Sequence, residues 1–304
     1  MTRRSWRATA IVIAGLLTVM LLYRINVSNN ADPESGSTSR AGAGDITPAH
    51  SGGSAHLNAE VKNDRNQLKP VARVPGSFQS HFMDVKRRAE HGSPEAQREL
   101  SEIYGRCMAI GTSPTKFLAG IDAISKQSRD ARSSALLIDA ANDLVTTCAE
   151  VDGGAPVPVD ANKLWLEAAA SGGDLAAQVR LKMMYPYDSV NYEIETLYKN
   201  AVAAGDERAL FDLGQLLLQK NDIPETKYSG ALSGKLGPYA LQIAACRYGL
   251  DCSAKSEVMK SLCLNTTACN FTDYESFIRS MIIPKSETEQ LNDKINRIIT
   301  TLPN

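Results

Sequence analysis

Gly92-Ser-Pro-Glu-Ala96-Gln-Arg-Glu-Leu100-Ser-Glu-Ile-Tyr104 returns as Gly173-Asp-Leu-Ala-Ala177-Gln-Val-Arg-Leu181-Lys-Met-Met-Tyr185, and again as Gly205-Asp-Glu-Arg-Ala209-Leu-Phe-Asp-Leu213-Gly-Gln-Leu-Leu217. The shared frame is a glycine, then alanine, leucine and a tyrosine or leucine at intervals of four. Each position has a physical reason. Alanine-rich ends such as Ala168-Ala-Ala170 and Ala201-Val-Ala-Ala204 finish one helix. Gly92, Gly173 or Gly205 then supplies a positive φ, and the Ser or Asp that follows caps the next helix. The small alanine lets that helix approach its neighbour closely.

Working outward, start signals recur along the whole C-terminal two thirds. Ser93-Pro94, Ser113-Pro114, Asp160, Asp174, Asp206, Thr272 with Glu275, and Ser286 with Glu289 each place a capping oxygen before an apolar-periodic run. The stripes that follow include Phe117, Ile121 and Ile124; Leu137, Ala141, Leu144 and Cys148; and Leu291, Ile295 and Ile298. No alternating strand pattern competes with them. The expected fold is all-α, with roughly twelve short helices packed in pairs over residues 78–304.

The glycine frame resembles the Sel-one-like repeats, relatives of the tetratricopeptide family, over Ala89 to about Tyr248. The resemblance implies α/α hairpins stacked into a solenoid, and a role in binding a protein or peptide. A fourth, degraded copy runs from Gly237 through Ala240 and Ala244 to Tyr248. The first two glycines are 81 residues apart and the next two 32, and the family's second glycine survives only as Gly214. An irregular array is therefore expected, with a helical hairpin inserted between Ser113 and Cys148.

Six cysteines form an even set: Cys107, Cys148, Cys246, Cys252, Cys263 and Cys269. They imply an oxidising compartment. Cys107 and Cys148 end the stripes of two helices that run parallel in an up-down-up unit, so a bridge between them is expected. Cys246 with Cys252, and Cys263 with Cys269, share one spacing, each with its first cysteine late in a helix, and are expected to pair locally. Neither spacing is that of a redox motif or a zinc knuckle.

The N-terminus supplies an address. Arg3, Arg4 and Arg7 precede an uncharged run from Ala8 to Tyr23, the pattern of an export signal whose arginines stay in the cytoplasm. Tyr23-Arg-Ile-Asn-Val-Ser-Asn-Asn30 offers no small-residue cleavage site, which favours retention over cleavage. Residues 1–7 then form a basic cytoplasmic segment, 8–24 a signal-anchor helix and 25–77 a Ser/Gly/Asn-rich tether. About forty such residues have a root-mean-square span of ~35 Å, so the tether holds a domain off the bilayer without fixing its orientation.

Composition bounds the function. The 33 basic and 34 acidic residues leave a net charge of −1, which argues against a nucleic-acid partner. His50 and His56 read as linker histidines, and His81 and His91 are not spaced as metal ligands on one helix face. Lys86-Arg-Arg88 reads as a solvated basic face, and Asp143 with Glu150 as ordinary helix carboxylates. Asn26-Val-Ser28, Asn265-Thr-Thr267 and Asn270-Phe-Thr272 match a glycosylation pattern that short Asn/Ser/Thr-rich stretches produce by chance. No cofactor or metal is expected. Tyr187 and Tyr192, beside Pro186, are the candidate binding surface, because tyrosine contributes large contact area at little rotamer cost. The expected function is a membrane-tethered, extracytoplasmic interaction module, with an envelope-associated enzyme or regulator of cell-wall chemistry as the alternative.

Overall fold

The computed structural model describes residues 77–303 apart from 112, 129, 185–190 and 220–229. Among the described residues the fold is all-helical, with twelve α-helices and one isolated bridge between Ser253 and Asp273. The helices are α1 (Ser77–Glu90), α2 (Pro94–Met108), α3 (Pro114–Ser125), α4 (Ala131–Ala149), α5 (Ala161–Ser171) and α6 (Leu175–Met184). They continue as α7 (Asn191–Ala204), α8 (Glu207–Gln219), α9 (Gly237–Tyr248), α10 (Glu257–Thr266), α11 (Tyr274–Phe277) and α12 (Thr288–Thr301). None of the described helices is long and apolar enough to cross a membrane. The expected anchor and tether lie outside the described residues.

One local motif builds the array three times. Gly92, Gly173 and Gly205 have φ values of 85°, 99° and 62°, the left-handed geometry that glycine adopts without a Cβ penalty. At each, the glycine N–H donates back to Ala89, Ala170 or Val202, and the next N–H donates to Arg88, Ala169 or Ala201. This double closure satisfies the last carbonyls of the outgoing helix. The residue after the glycine then caps the incoming helix: Ser93 Oγ, Asp174 Oδ1 and Asp206 Oδ1 accept from the N–H groups of Ala96, Ala177 and Ala209. Gln97 and Gln178, at equivalent positions, both reach back to a carbonyl of the preceding helix, Ala89 and Ala170.

Stacking follows from these turns. α1 packs on α2, α2 on α5, α5 on α6, α6 on α8, α8 on α9 and α9 on α12, while α7 pairs with α8. The close approaches depend on missing side chains. A Cβ on Gly214 would lie 2.6 Å from the Pro238 carbonyl oxygen of α9, and one on Gly172 would lie 2.7 Å from Pro94 Cγ of α2. The largest core spans α6 to α12, with Leu210, Leu213, Leu216, Leu217, Leu241 and Ile243 fully buried. A second holds Phe82, Val85, Leu100, Ile103 and Tyr104 between α1 and α2.

α3 and α4 interrupt this sequence. They form the hairpin expected between Ser113 and Cys148, so that α2 meets its partner α5 only after the chain has gone out and returned. The hairpin has a small core of its own, Ile121, Leu137 and Ala141, completed by Cys263 of α10.

Cysteines pair at disulfide geometry as Cys107 with Cys148, Cys246 with Cys252, and Cys263 with Cys269, with Cα separations of 5.4, 5.5 and 4.4 Å. Cys107 and Cys148 both lie in the last turn of their helices, which is what brings them together.

Several local expectations are corrected. Thr272 is not the cap of α11: Asp273 accepts from the Ser276 N–H and Ser276 Oγ answers the Asp273 N–H, a reciprocal box one residue later. Ser286 lies inside a short turn, Lys285–Glu287, and α12 starts at Thr288 without a side-chain cap. Asp160 occupies the cap position of α5 but makes no capping bond, its backbone being helical rather than extended. Two caps are additional, Asp130 before α4 and Ser256 before α10. Ile124 does not join the α3 stripe and is 44% exposed, because the hairpin core takes Ile121 with Phe117 and Leu118 and ends before the last turn of that helix. Gly237 is the first residue of α9 without a positive φ, so the fourth copy lacks the glycine turn.

Candidate functional site

The most chemically distinctive place in the described residues is an ion network between α2, α6 and α8. The repeat turns build it. Each turn delivers its helix in the same register, so Glu99, Arg180 and Asp212, all seven residues after their glycines, occupy equivalent positions. Arg180 and Asp212 therefore stack as neighbours of opposite sign: Arg180 Nε donates to Asp212 Oδ2 at 2.6 Å. The equivalent Glu99 turns instead to His81 Nε2 at 2.9 Å and Arg88 at 3.5 Å.

Glu102, one helical turn further along α2, is the hub. Its Oε1 takes Arg98 Nη1 and Arg180 Nη1, both at 2.9 Å, and its Oε2 accepts from Arg208 Nη2 at 3.1 Å. Arg98 Nε reaches Asp174 Oδ2 at 3.0 Å, tying the hub to the cap of α6. Arg208 Nε lies 3.6 Å from Asp212 Oδ2, beyond hydrogen-bond reach. All six side chains are largely buried, Asp212 with 4% exposure and Glu102 with 12%.

The electrostatics close on themselves. Three guanidiniums face three carboxylates, Arg98, Arg180 and Arg208 against Glu102, Asp174 and Asp212, so the cluster has no net charge. Burial alone would raise the Glu102 carboxyl, but Arg180, Arg208 and Arg98 outweigh it and hold it at about 2. Burial pulls the guanidiniums of Arg98 and Arg180 down, but their carboxylate partners outweigh it and hold both above their usual range. Asp206 behaves oppositely. Half-buried at the cap of α8, its carboxyl is raised by burial against the Ala209 N–H bond that favours the charged form.

Chemically, a carboxylate gripped by three guanidiniums does not exchange protons near neutral pH, so Glu102 is no general acid or base there. The arrangement instead fixes register: each member satisfies partners on a different helix, and a shift of one helix breaks several charge-assisted bonds together.

The residues singled out from sequence fare unevenly. Gly92, Gly173 and Gly205 occupy positive-φ turns as expected. The basic run is not a free patch: Lys86 bonds Asp152 at 2.6 Å, while Arg87 and Arg88 both hold Asp84. Asp143 and Glu150 serve different neighbours, Lys260 at 3.0 Å and the Gln79 N–H at 2.9 Å. His91 Nδ1 donates to the Arg87 carbonyl. Tyr187, with Tyr185, lies outside the described residues, as do His50 and His56; of Tyr192 only its backbone place, in the first turn of α7, is described. Tyr198 packs against the main core.

Sequence reasoning missed the ion network, although a signal existed. Arg180 and Asp212 hold opposite charges at one repeat position. Comparison with protein-family models, curated proteins and solved structures returned no match for this chain.

Proposed function

We propose that residues 78–304 form an interaction module, tethered by residues 8–24 through the segment 25–77 and displayed outside the cytoplasmic membrane, where it holds a protein or peptide as a scaffold or adaptor. The observation that supports this reading is the closure of the ion network. The most deeply buried convergence of arginines and carboxylates among the described residues balances its own charge, with Glu102 held at about 2. Such a cluster sets the spacing of helices and leaves the outer helix faces to meet a partner. The work of the module is then recognition rather than bond making.

Affinity capture of the intact protein from cross-linked membranes tests it. A partner that co-purifies in fixed proportion, and is lost from the Tyr187→Ala/Tyr192→Ala variant, is the expected result; recovery of the protein alone overturns the reading. A reporter fused after Asn304 is expected to be active only outside the cytoplasm.

One observation favours the alternative, an envelope-associated enzyme or regulator of cell-wall chemistry. Asp206, raised by burial, stands beside Arg98 and Asp174, so two carboxyls of one cluster are pushed in opposite directions. An Asp206→Asn variant that melts like the native protein but fails to complement an envelope defect would move the assignment to that reading.

A further inference from the structure

The α3–α4 hairpin is attached to the rest of the molecule in two different ways. At its root, where α4 ends, the attachments are dense. Cys148 is bonded to Cys107 of α2. Glu150 accepts from the Gln79 N–H of α1, and Asp152, in a left-handed conformation at φ 48°, is held by both the Lys86 ammonium and the Tyr104 hydroxyl, at 2.6 and 2.8 Å. Val151, between them, is buried in the α1–α2 core.

Away from the root, contact is sparse and of another kind. α4 lies on α10, where Ile121, Leu137 and Ala141 meet Cys263, with Leu264 and Cys269 at the margin. One ion pair crosses from α4 to α10 beside this patch, Lys260 with Asp143, and two more hold Glu257 of α10 to Lys260 and to α2. Lys260 Nζ sits between Asp143 Oδ2 at 3.0 Å and Glu257 Oε1 at 3.1 Å, and Arg106 Nε lies 3.5 Å from Glu257 Oε2. The patch is separate from the main core, which α10 joins through Met259, with Val258 and Leu262 packed against it. Thus α10 belongs to the body on one face and to the hairpin on the other.

We propose that the hairpin is a strap: hinged at Cys107–Cys148 and Asp152, it lifts off α10 and uncovers the Cys263–Leu264 face while the body stays folded. The physical basis is the inequality of the two attachments. Opening at α10 costs a four-residue apolar cluster and one partly exposed ion pair, whereas opening at the root requires a covalent bond to break, Val151 to leave its core and the buried Tyr104 hydroxyl to lose Asp152. A two-helix hairpin with so small a core does not hold its amides when lifted, so opening is visible as exchange.

Hydrogen exchange of the full-length oxidised protein, read by segment in low denaturant, tests the proposal. Amides of residues 114–149 are expected to exchange at least tenfold faster than those of α8 and α9, through openings whose denaturant dependence is smaller than that of global unfolding. Leu213→Ala, in the main core, should accelerate α8 and α9 by at least tenfold and leave 114–149 unchanged, because the body is folded whether the hairpin is down or lifted. Lys260→Met, which does not touch the core, should accelerate the same segment several-fold. Exchange of 114–149 at the rate of α8 and α9, or an equal acceleration of all three by Leu213→Ala with no effect of Lys260→Met, overturns the strap.

Discussion

The stack of α2, α6 and α8 and the inserted α3–α4 hairpin solve the same problem, holding helices distant in sequence against one another, with opposite means. In the stack, six charged side chains from three helices hold one another, and the hub Glu102 meets Arg208 from 106 residues away. The hairpin relies on one covalent bond at its root and a small apolar patch further along. A charge network is all or nothing: its net contribution is small when complete, yet removing one member leaves others buried without a partner. A disulfide acts mainly by restricting the unfolded chain, so its loss weakens the fold without leaving an unsatisfied group behind.

The sharpest way to break the comparison is Glu102→Gln, which leaves three guanidiniums facing two carboxylates and is expected to cost ~3–5 kcal/mol in denaturant unfolding. The same carboxylate sets an acid limit. Its folded value of about 2 lies below the usual 4.5 of a free glutamate, so its stabilisation is fully present above about pH 5 and is lost as pH falls toward 2. In Glu102→Gln that part of the acid dependence should disappear; an unchanged acid profile means the network is not what the protein loses first. The hairpin's bond comes next. Cys107→Ser with Cys148→Ser opens a loop of 41 residues and is expected to cost up to ~4 kcal/mol, against ~2 kcal/mol for either six-residue loop. Equal losses from all three pairs would show that the bridge does not act through loop closure.

Smaller effects separate turn from surface. Gly92→Ala should cost ~1 kcal/mol through its positive φ, since an added Cβ there meets nothing within 4 Å. Gly205→Ala should cost more, because its Cβ would lie 2.8 Å from the Tyr248 hydroxyl. Thermal melts that rank them the other way would place the strain elsewhere. The Tyr187→Ala/Tyr192→Ala pair is expected to leave the melt within ~0.5 kcal/mol while weakening partner capture. If it unfolds the domain, those side chains belong to the packing.

Much of the fold was legible because glycine, cap and alanine act locally. Gly92, Gly173 and Gly205 specify their turns whatever surrounds them, and the long gap between the first two marks the hairpin. Where two candidate oxygens adjoin, the local signal is ambiguous, and Asp273 rather than Thr272 caps α11 because Ser276 stands in place to answer it. The ion network was not legible for a different reason. Along α2 alone, Arg98 and Glu102 look like a solvated pair of the kind any exposed helix has. Only the stacking of three turns in one register brings Arg180 and Arg208 onto Glu102 and removes water from all of them. The candidate tyrosines rest on residue type alone, which carries no such geometry.

The order of the disulfides has a consequence for how the molecule is made. Cys107 pairs with Cys148, Cys246 with Cys252 and Cys263 with Cys269, so every cysteine is bonded to its neighbour along the chain and no bridge encloses another. Of the fifteen possible pairings, this is the one that results when thiols are oxidised two at a time as they emerge from N- to C-terminus. Should the chain be exported as its N-terminus predicts, a catalyst that only oxidises is expected to suffice for maturation, without shuffling of wrongly joined bridges.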